Sequence, residues 1–489
     1  MKKNITLLSI FLISIFSCTN DYLEEAPVNG GYPDDVADIM VRKCAVSGCH
    51  NSQSRGLAGG LDFSSWDLMF DGGRNGTSVI PFSTENSYML YTVNTDSTRG
   101  PVLLPTMPYN GSPLTDAEYQ TLFNWISNGA PDKNGFVKFS DNPNRRKIYI
   151  CMQGCDKVAV MDATTKVIMR YVDVGSSPVI EAPHLVRVSP DGQYWYVVFI
   201  GGTVVQKFRT SDDSFVGQVD IGGGDWNTIM FSPDGSRGFV NATVLGKTQI
   251  INLNNMSIIS TFVSNQPHGG FVTPDGKYLY LTVQIGNYIN KVNIDTTDLN
   301  YLSIDPIVLI PGQPVSNSTS TDAHEMTLSS DGSKYFVSCQ GTAEVRVFDA
   351  STDTFITSIP VGTKPQEFTV SSVYHKVFVT CTEDVIDPTK KGSVYVIDEN
   401  DYSTQRIYTG YQPHGIAADD VQGLVYVANL NYDTNGPAPH HVSACAGKNG
   451  YLTIIDMSTM NLWIKHLSDG SAYQYKCELL PYPYFVSVR

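Results

Sequence analysis

The chain has 489 residues and a formal net charge of -15 at pH 7. Its length exceeds one ordinary domain core and predicts two domains or one large repeat fold. The negative balance argues against nucleic-acid binding, because no surplus of Lys and Arg exists to neutralise phosphates. The 41 Gly, 26 Pro and 27 Tyr residues favour many short strands joined by tight turns.

Residues 1–18 are typical of an export signal. A positive start precedes an apolar run from Ile5 to Phe16, too short to span a bilayer, and Ser17 and Cys18 follow. The ending IFSC resembles a bacterial lipobox, which implies cleavage before Cys18 and lipid on its sulfur; the alternative is a signal peptide without lipid. Residues 19–32 are a polar tether, similar to that of surface-exported Bacteroidetes lipoproteins. We expect an outer-membrane lipoprotein facing the periplasm or the cell surface, anchored by lipid alone.

Residues 33–133 predict a small all-α domain. The segment DDVADIMVRKC is expected to be a helix that ends at Cys44, and TDAEYQTLFNWISNGAP predicts a stronger helix. Thr115 and Glu118 form its capping box, and Gly129 followed by Pro131 ends it. Residues 134–146 are expected to be a linker.

A cysteine motif follows the first predicted helix. Four residues separate Cys44 from Cys49, and His50 comes next. A c-type haem site needs two thiols for thioether bonds and an adjacent His that reaches the iron, usually with two residues between the cysteines. A longer loop of small residues can bulge without moving the three side chains. A zinc site is less favoured, because no second Cys/His pair follows at a usable distance, and a disulfide leaves His50 without a role.

A second iron ligand is expected downstream of this motif. Met107 lies in the stretch LLPTMPYNG, where Pro105 and Pro108 stiffen the loop that carries its sulfur. The alternative is a Met packed under a loop.

Four segments resemble, in order, the small cytochrome c domains of Planctomycete-type and Bacteroidetes lipoproteins: KCAVSGCHN, GGLDFSSWDLMFDGG, VIPFSTENSYMLYTV and LPTMPYNGSPLTDAEYQTLFNWISNGAP. That family includes forms with the four-residue spacer. The resemblance implies covalent haem c on Cys44 and Cys49. It also implies His50 as the proximal and Met107 as the distal iron ligand.

Residues 147–489 contain one recurring unit. Its turns start at Ser189, Ser232, Thr273, Ser329, Ser371 and Asp419. Each turn lies between two short strands, and a third strand follows, as is typical of propeller blades. The first blade lacks its innermost strand and the ending PYPYFVSVR supplies one, so we predict seven blades closed by the C-terminal strand. The repeat resembles YVTN-type seven-bladed propellers, as in NGYLTIID and KGSVYVID, a likeness specific for fold and poor for function.

The repeat register places one residue of each blade at the start of an innermost strand: His184, Asn227, His268, His324, Gln366, His414 and Tyr484. We expect all seven at the mouth of the central channel. In one interpretation the four histidines belong to turns, each bonding the backbone of its own blade. In the other they hold copper, iron, zinc or a second haem, because converging neutral imidazoles suit copper, iron and zinc.

The last blade carries a long insertion, NLNYDTNGPAPHHVSACAGKNG. Long loops in compact repeats are often functional, so His440 and His441 are candidate further ligands or part of a lid. We favour a surface loop held by a disulfide between Cys445 and Cys477.

The remaining cysteines offer one further local pair, Cys151 with Cys155. Cys339 and Cys381 occupy the same position in neighbouring blades, and we expect them to pack inside strands.

We therefore expect an exported, lipid-anchored cytochrome c joined to a propeller, exchanging electrons with a redox partner protein. One alternative is a redox enzyme with a catalytic metal or second haem on the channel histidines, and another is a cell-surface binding module. Hydrolase function lacks support, since neither a serine nucleophile elbow nor a phosphate loop is present. The sequence assigns no catalytic residue.

Overall fold

The computed structural model describes residues 29–387, 390–432, 445 and 448–489. The export signal with Cys18, most of the tether, His440 and His441 lie outside the described residues. No helix in the described ranges is long and apolar enough to cross a membrane.

Seven antiparallel sheets make up a seven-bladed β-propeller, as predicted. Blade 1 contains β1 Lys147–Met152, β2 Lys157–Asp162 and β3 Ile168–Asp173. Blade 2 contains β4 Pro183–Val188, β5 Tyr194–Phe199, β6 Val204–Arg209 and β7 Phe215–Asp220. Blade 3 contains β8 Trp226–Phe231, β9 Arg237–Ala242, β10 Lys247–Asn252 and β11 Ser257–Val263. Blade 4 contains β12 Pro267–Val272, β13 Tyr278–Val283, β14 Tyr288–Asn293 and β15 Ile304–Val308. Blade 5 contains β16 Ala323–Leu328, β17 Lys334–Cys339, β18 Glu344–Asp349 and β19 Phe355–Pro360.

The last two blades are longer. Blade 6 contains β20 Pro365–Ser371, β21 Lys376–Asp387, β22 Lys390–Asp398 and β23 Thr404–Ile407. Blade 7 contains β24 Pro413–Asp419, β25 Leu424–Asn429, β26 Asn449–Asp456 and β27 Asn461–Leu462, and β30 Lys476–Pro481 also pairs with β26. Between β27 and β30 the chain forms a hairpin of β28 Ile464–His466 and β29 Ala472–Gln474. The final strand, β31 Pro483–Val488, pairs with β1 and completes blade 1. The ring is therefore closed by the C-terminal strand, which removes a free edge on β1.

The repeated turns have a common local cause. In the turn that begins at Ser189, the hydroxyl donates to Asp191 at 2.5 Å and accepts from the backbone N–H of Tyr194 at 3.0 Å. Gly192 completes the turn with a φ of +69°, a conformation that glycine adopts without steric cost. The same bonds recur in the turns that begin at Ser232, Thr273 and Ser329. Local chemistry therefore sets the position of the innermost strand in blades 2 to 5.

Short helices precede the propeller. In the described part of the chain these are α1 Asp34–Ile39 with a π-helical turn Met40–Cys44, α2 Trp66–Met69, α3 Tyr88–Val93 and α4 Asp116–Ser127, besides 3-10 turns at Thr84–Asn86 and Ser97–Arg99. The helix expected to end at Cys44 is present, and so is the capping box of Thr115 and Glu118.

The helical segment shares a core with the propeller. Trp66 and Leu122 belong to one continuous apolar cluster with Trp195 and Phe208 of blade 2. The expected small all-α domain therefore has no core separate from the propeller.

One disulfide joins blade 1 to the insertion of blade 7. It links Cys155 to Cys445, which are 290 residues apart in sequence and have Cα atoms 5.3 Å apart. The predicted Cys445–Cys477 bond is therefore wrong, and so is the local Cys151–Cys155 option.

The remaining propeller cysteines are free and buried. Cys477 packs against the helical segment: a Cβ at Gly76 would lie 2.6 Å from its sulfur, so only glycine fits there. Cys339 and Cys381 lie inside strands β17 and β21, as expected.

Candidate functional site

The loop from Cys44 to His50 folds back on itself. The backbone N–H of His50 donates to the carbonyl of Cys44 at 3.1 Å, and that of Cys49 donates to Val46 at 3.0 Å. Gly48 adopts a φ of +82°, with nothing within 4 Å of the position where a Cβ would stand. The four-residue spacer therefore bulges outward, and Cys44 stays hydrogen-bonded to the residue that follows Cys49.

The two thiols of this loop are free and half-buried. Burial, and then the neighbouring Cys49, raises the pKa of the Cys44 thiol to about 12. Cys44 is therefore a neutral thiol at pH 7. Within the described ranges, no third His, Cys, Asp or Glu joins these cysteines in a cluster that could hold a metal.

The ring of His50 is half-buried beside Phe63, with 4.9 Å between the ring centroids. Its Nδ1 atom is buried and has no hydrogen-bond partner among the described residues. Burial lowers the pKa of His50, although the backbone of Ala58 opposes this shift. The imidazole is therefore neutral at pH 7, the form that can bind a metal.

Met107 lies on a second loop of the helical segment. Its backbone N–H donates to the carbonyl of Thr92 at 2.7 Å, and its side chain packs against the same apolar cluster as Cys44. The two loops also expose large apolar side chains, with Leu57 95% and Leu104 85% exposed.

The seven register residues lie where the sequence predicts, each as the second residue of an innermost strand. Four histidines from blades 2, 4, 5 and 7 face one another across the channel. Ring centroids are 6.0 Å apart for His184 and His268, 4.1 Å for His268 and His324, 6.0 Å for His324 and His414, and 6.3 Å for His414 and His184. Tyr484 lies 4.2 Å from His184 and 3.9 Å from His414, again between centroids. We call His184, His268, His324 and His414 the histidine ring.

The other two register residues are held by neighbouring polar groups. Asn227 accepts from the hydroxyl of Thr243 at 3.0 Å. Gln366 donates to Gln340 at 3.0 Å and accepts from Thr382 at 2.5 Å.

The Nδ1 atoms of the histidine ring bond neighbouring groups. His268 Nδ1 lies 3.1 Å from the carbonyl of His324, and His414 Nδ1 lies 3.1 Å from the carbonyl of Tyr484. His184 Nδ1 lies 3.0 Å from Gln153 Nε2, and His324 Nδ1 lies 3.0 Å from Gln340 Nε2. Both backbone acceptors belong to the adjacent blade and not to the histidine's own blade.

Two histidines of the histidine ring, His324 and His414, lie beside the carboxylate of Glu367. The ligand atoms of His324, Glu367 and His414 all lie within 4.8 Å of one another, and all three residues are buried. Nε2 of His324 is 3.5 Å from Oε1 of Glu367. The Nε2 atoms of His324 and His414 are buried and have no hydrogen-bond partner in the described structure.

The sequence analysis did not identify three charged residues near this ring. Glu325 and Glu367 follow register positions in β16 and β20 and are buried. Arg187 lies in β4 and is half-buried. Glu325 accepts from the backbone N–H of Gly270 at 2.8 Å, and a Cβ at Gly269 would lie 2.2 Å from its carboxylate. In the sequence, the signal for these three residues is a charged residue within an innermost strand.

Burial dominates the electrostatics of the channel. It lowers the pKa of His184, His268 and His414 well below the usual value, and that of His324 to about 3. Burial also raises the pKa of Glu325 to about 8 and that of Glu367 to about 7, while Arg187 opposes both shifts. The ring is therefore neutral at pH 7.

No protein-family model matches the chain, and no curated protein matches it. Among solved structures, it is similar to a putative 6-phosphogluconolactonase from Bacteroides uniformis, with 11% identity over 71% of this chain and 100% of that one and a TM-score of 0.52. Kuenenia stuttgartiensis hydrazine synthase matches at 15% identity over 65% and 97% of the two chains, with a TM-score of 0.48. Dihydro-heme d1 dehydrogenase NirN, in complex with DHE, matches at 11% identity over 85% of this chain and 93% of that one, with a TM-score of 0.48. At these identities the likeness concerns the propeller fold alone.

Proposed function

We propose that the chain is a c-type cytochrome that transfers electrons and carries its haem on the helical segment. Cys44 and Cys49 form the thioether bonds, His50 is the proximal iron ligand and Met107 the distal one. The haem supplies reversible one-electron transfer when bound. The propeller serves as the rigid base of this segment and as a docking surface for the redox partner protein.

One observation carries this proposal: the loop from Cys44 to His50 closes on itself while both thiols stay free. A structural disulfide would use both sulfurs, and the described structure forms none between them. The buried, unpartnered Nδ1 of His50 gives the adjacent imidazole an unused polar atom, as a ligand residue would have.

The surroundings of the loop suit a large apolar group. Val46, Leu57, Leu104 and Tyr109 are all exposed, and each lies within seven residues in sequence of a proposed haem residue. A porphyrin face buried against them would remove apolar surface from water at about 25 cal/mol per Å². The residues present therefore fit a haem in both their donor set and their polarity.

The test is an optical and quantitative one. The chain lacking residues 1–18, produced in the periplasm of a host with c-type haem maturation, is expected to carry one haem. A pyridine haemochrome spectrum of the c type, with haem still attached after denaturing electrophoresis, is the expected result. A colourless protein that is folded by circular dichroism would contradict the proposal.

Replacing the distal ligand is expected to lower the haem potential. Met107→Ala removes the thioether sulfur, and His/Met ligation holds the potential above that of ligand sets without Met. We expect a fall on the order of 0.1 V, within the span of about 0.8 V that axial ligands control. A spectroelectrochemical titration measures it, with Met460→Ala as the control, because Met460 is a half-buried Met of the propeller. Equal potentials in the two variants would remove Met107 from the ligand set.

We also propose lipid attachment at Cys18, in an outer-membrane lipoprotein. Cys18→Ala is expected to move the protein from the membrane fraction to the soluble fraction, because one acylated residue would supply the anchor. Ser17→Ala, which keeps the cysteine, is the control. Membrane retention of the Cys18 variant, detected by immunoblot after fractionation, would contradict the lipid anchor.

A further inference from the structure

We propose that the propeller channel binds a divalent transition-metal ion, Zn²⁺ or Cu²⁺, through His324, Glu367 and His414. Two imidazole nitrogens and one carboxylate oxygen are the donors. This site lies in blades 5, 6 and 7 and does not depend on the haem proposed for the helical segment.

The geometry brings three donors from three different strands to one point. Their ligand atoms lie within 4.8 Å of one another, although β16, β20 and β24 are separated in sequence. Two nitrogen or oxygen atoms on one zinc ion, each about 2.1 Å from it, lie roughly 3–4 Å apart. The three side chains therefore need to approach one another by roughly 1 Å, which small side-chain rotations provide.

The free nitrogens point to a ligand. His324 is 4% exposed and His414 is 1% exposed, yet Nε2 of each has no hydrogen-bond partner in the described structure. A buried polar atom without a partner costs about 1–3 kcal/mol. Two such atoms beside one carboxylate are explained together by a cation between them.

The far side of the His414 imidazole is held as metal-binding histidines require. Nδ1 of His414 lies 3.1 Å from the carbonyl of Tyr484. A carbonyl only accepts, so Nδ1 carries the proton and Nε2 presents its lone pair. Nε2 of Gln340 and Nε2 of Gln284 lie 3.0 and 3.4 Å from Nδ1 of His324. Amide nitrogens donate, so the proton of this imidazole is on Nε2 and has to leave when that nitrogen binds an ion.

The charge balance of the channel also favours a cation. Glu325 and Glu367 are buried, with exposed fractions of 5% and 3%, and Oε1 of Glu367 lies 3.5 Å from Nε2 of His324. The charge of a buried carboxylate needs a cation or a hydrogen-bond donor beside it. A divalent ion beside Glu367 compensates this charge without a proton.

The donor set selects the kind of ion. Imidazole ligands suit Zn²⁺ and Cu²⁺, whereas Mg²⁺ and Ca²⁺ prefer all-oxygen sites. An open cavity of about 510 Å³ is lined by Gln284 and Gln340, the two residues that bond His324. This cavity therefore adjoins the two side chains that hold the far side of the His324 imidazole.

The experiment uses the full mature chain with its haem. The protein is treated with a chelator, dialysed against Zn²⁺ or against Cu²⁺, freed of excess ion and assayed by elemental mass spectrometry. We expect about one added ion per chain, and nitrogen hyperfine splitting in the Cu²⁺ electron paramagnetic resonance spectrum from two imidazoles.

Variants locate the ion. His324→Gln, His414→Gln and the isosteric Glu367→Gln are each expected to lose most of the bound metal. His375→Gln and His466→Gln are the matched controls, since both histidines are exposed and lie outside the channel. Wild-type protein that binds no added ion would overturn the proposal, as would full retention by folded Glu367→Gln. Circular dichroism identifies any variant that fails to fold, and the wild-type measurement stands without the variants.

Discussion

A chain that ends at Tyr482 is expected not to fold into a stable propeller. The truncation removes β31, whose residues pair with β1 through Ile148 and Val488 and through Ile150 and Val486. Without it β1 has a free edge in the channel, and blades 2 and 7 lose the strand between their innermost strands.

The expected loss of stability follows from the side chains that β31 buries. Phe485 and Val486 are 8% and 1% exposed, and the ring of Tyr484 packs between His184 and His414. Burying three such side chains contributes about 1.5–3 kcal/mol each. The total approaches the free energy of unfolding of a whole domain, about 5–15 kcal/mol, before the lost hydrogen bonds between β31 and β1 are counted.

Thermal unfolding followed by circular dichroism measures this effect. The control chain lacks Arg489 alone and keeps β31 intact. We expect the control to melt cooperatively near the full chain, and the longer truncation to be insoluble or to lack a cooperative transition. A truncated chain that melts within a few degrees of the control would show that ring closure is dispensable.

The Cys44→Ala/Cys49→Ala double variant is expected to lose covalent haem entirely, from one group per chain to none. Covalent attachment requires the two sulfurs, and His50 alone binds haem reversibly. The helical segment should remain folded, because its core rests on Trp66 and Leu122 and on blade 2.

Haem staining after denaturing electrophoresis measures the loss. A Cys339→Ala/Cys381→Ala variant is the matched control, since it removes two free thiols from the propeller. It should keep its haem. Staining that survives in the Cys44/Cys49 variant would place the attachment elsewhere and refute the assignment.

The propeller could be predicted from sequence because its signals are local. Four of the six turns, such as the one that begins at Ser189, are set by a hydroxyl residue, an aspartate two residues later and a glycine at positive φ. Counting from these turns places His184 and Tyr484 correctly at the starts of β4 and β31. The period of the strands then decides which residues face the channel.

Other features depend on contacts between residues far apart in sequence. The Cys155–Cys445 bond joins residues 290 positions apart, and no local pattern favours it over Cys445 with Cys477. Glu367 is the candidate channel ligand that the sequence analysis missed, because the pattern of β20 does not show that its side chain meets His324 from the adjacent blade.

The most direct measurement of the central claim is mass spectrometry of the peptide that carries the motif. Trypsin cuts after Lys43 and Arg55, which releases the peptide CAVSGCHNSQSR. In protein matured with haem, we expect this peptide to carry the mass of one haem, with both cysteines blocked to alkylation. Recovery of the unmodified peptide, with both cysteines alkylated, would contradict the assignment of the chain as a c-type cytochrome.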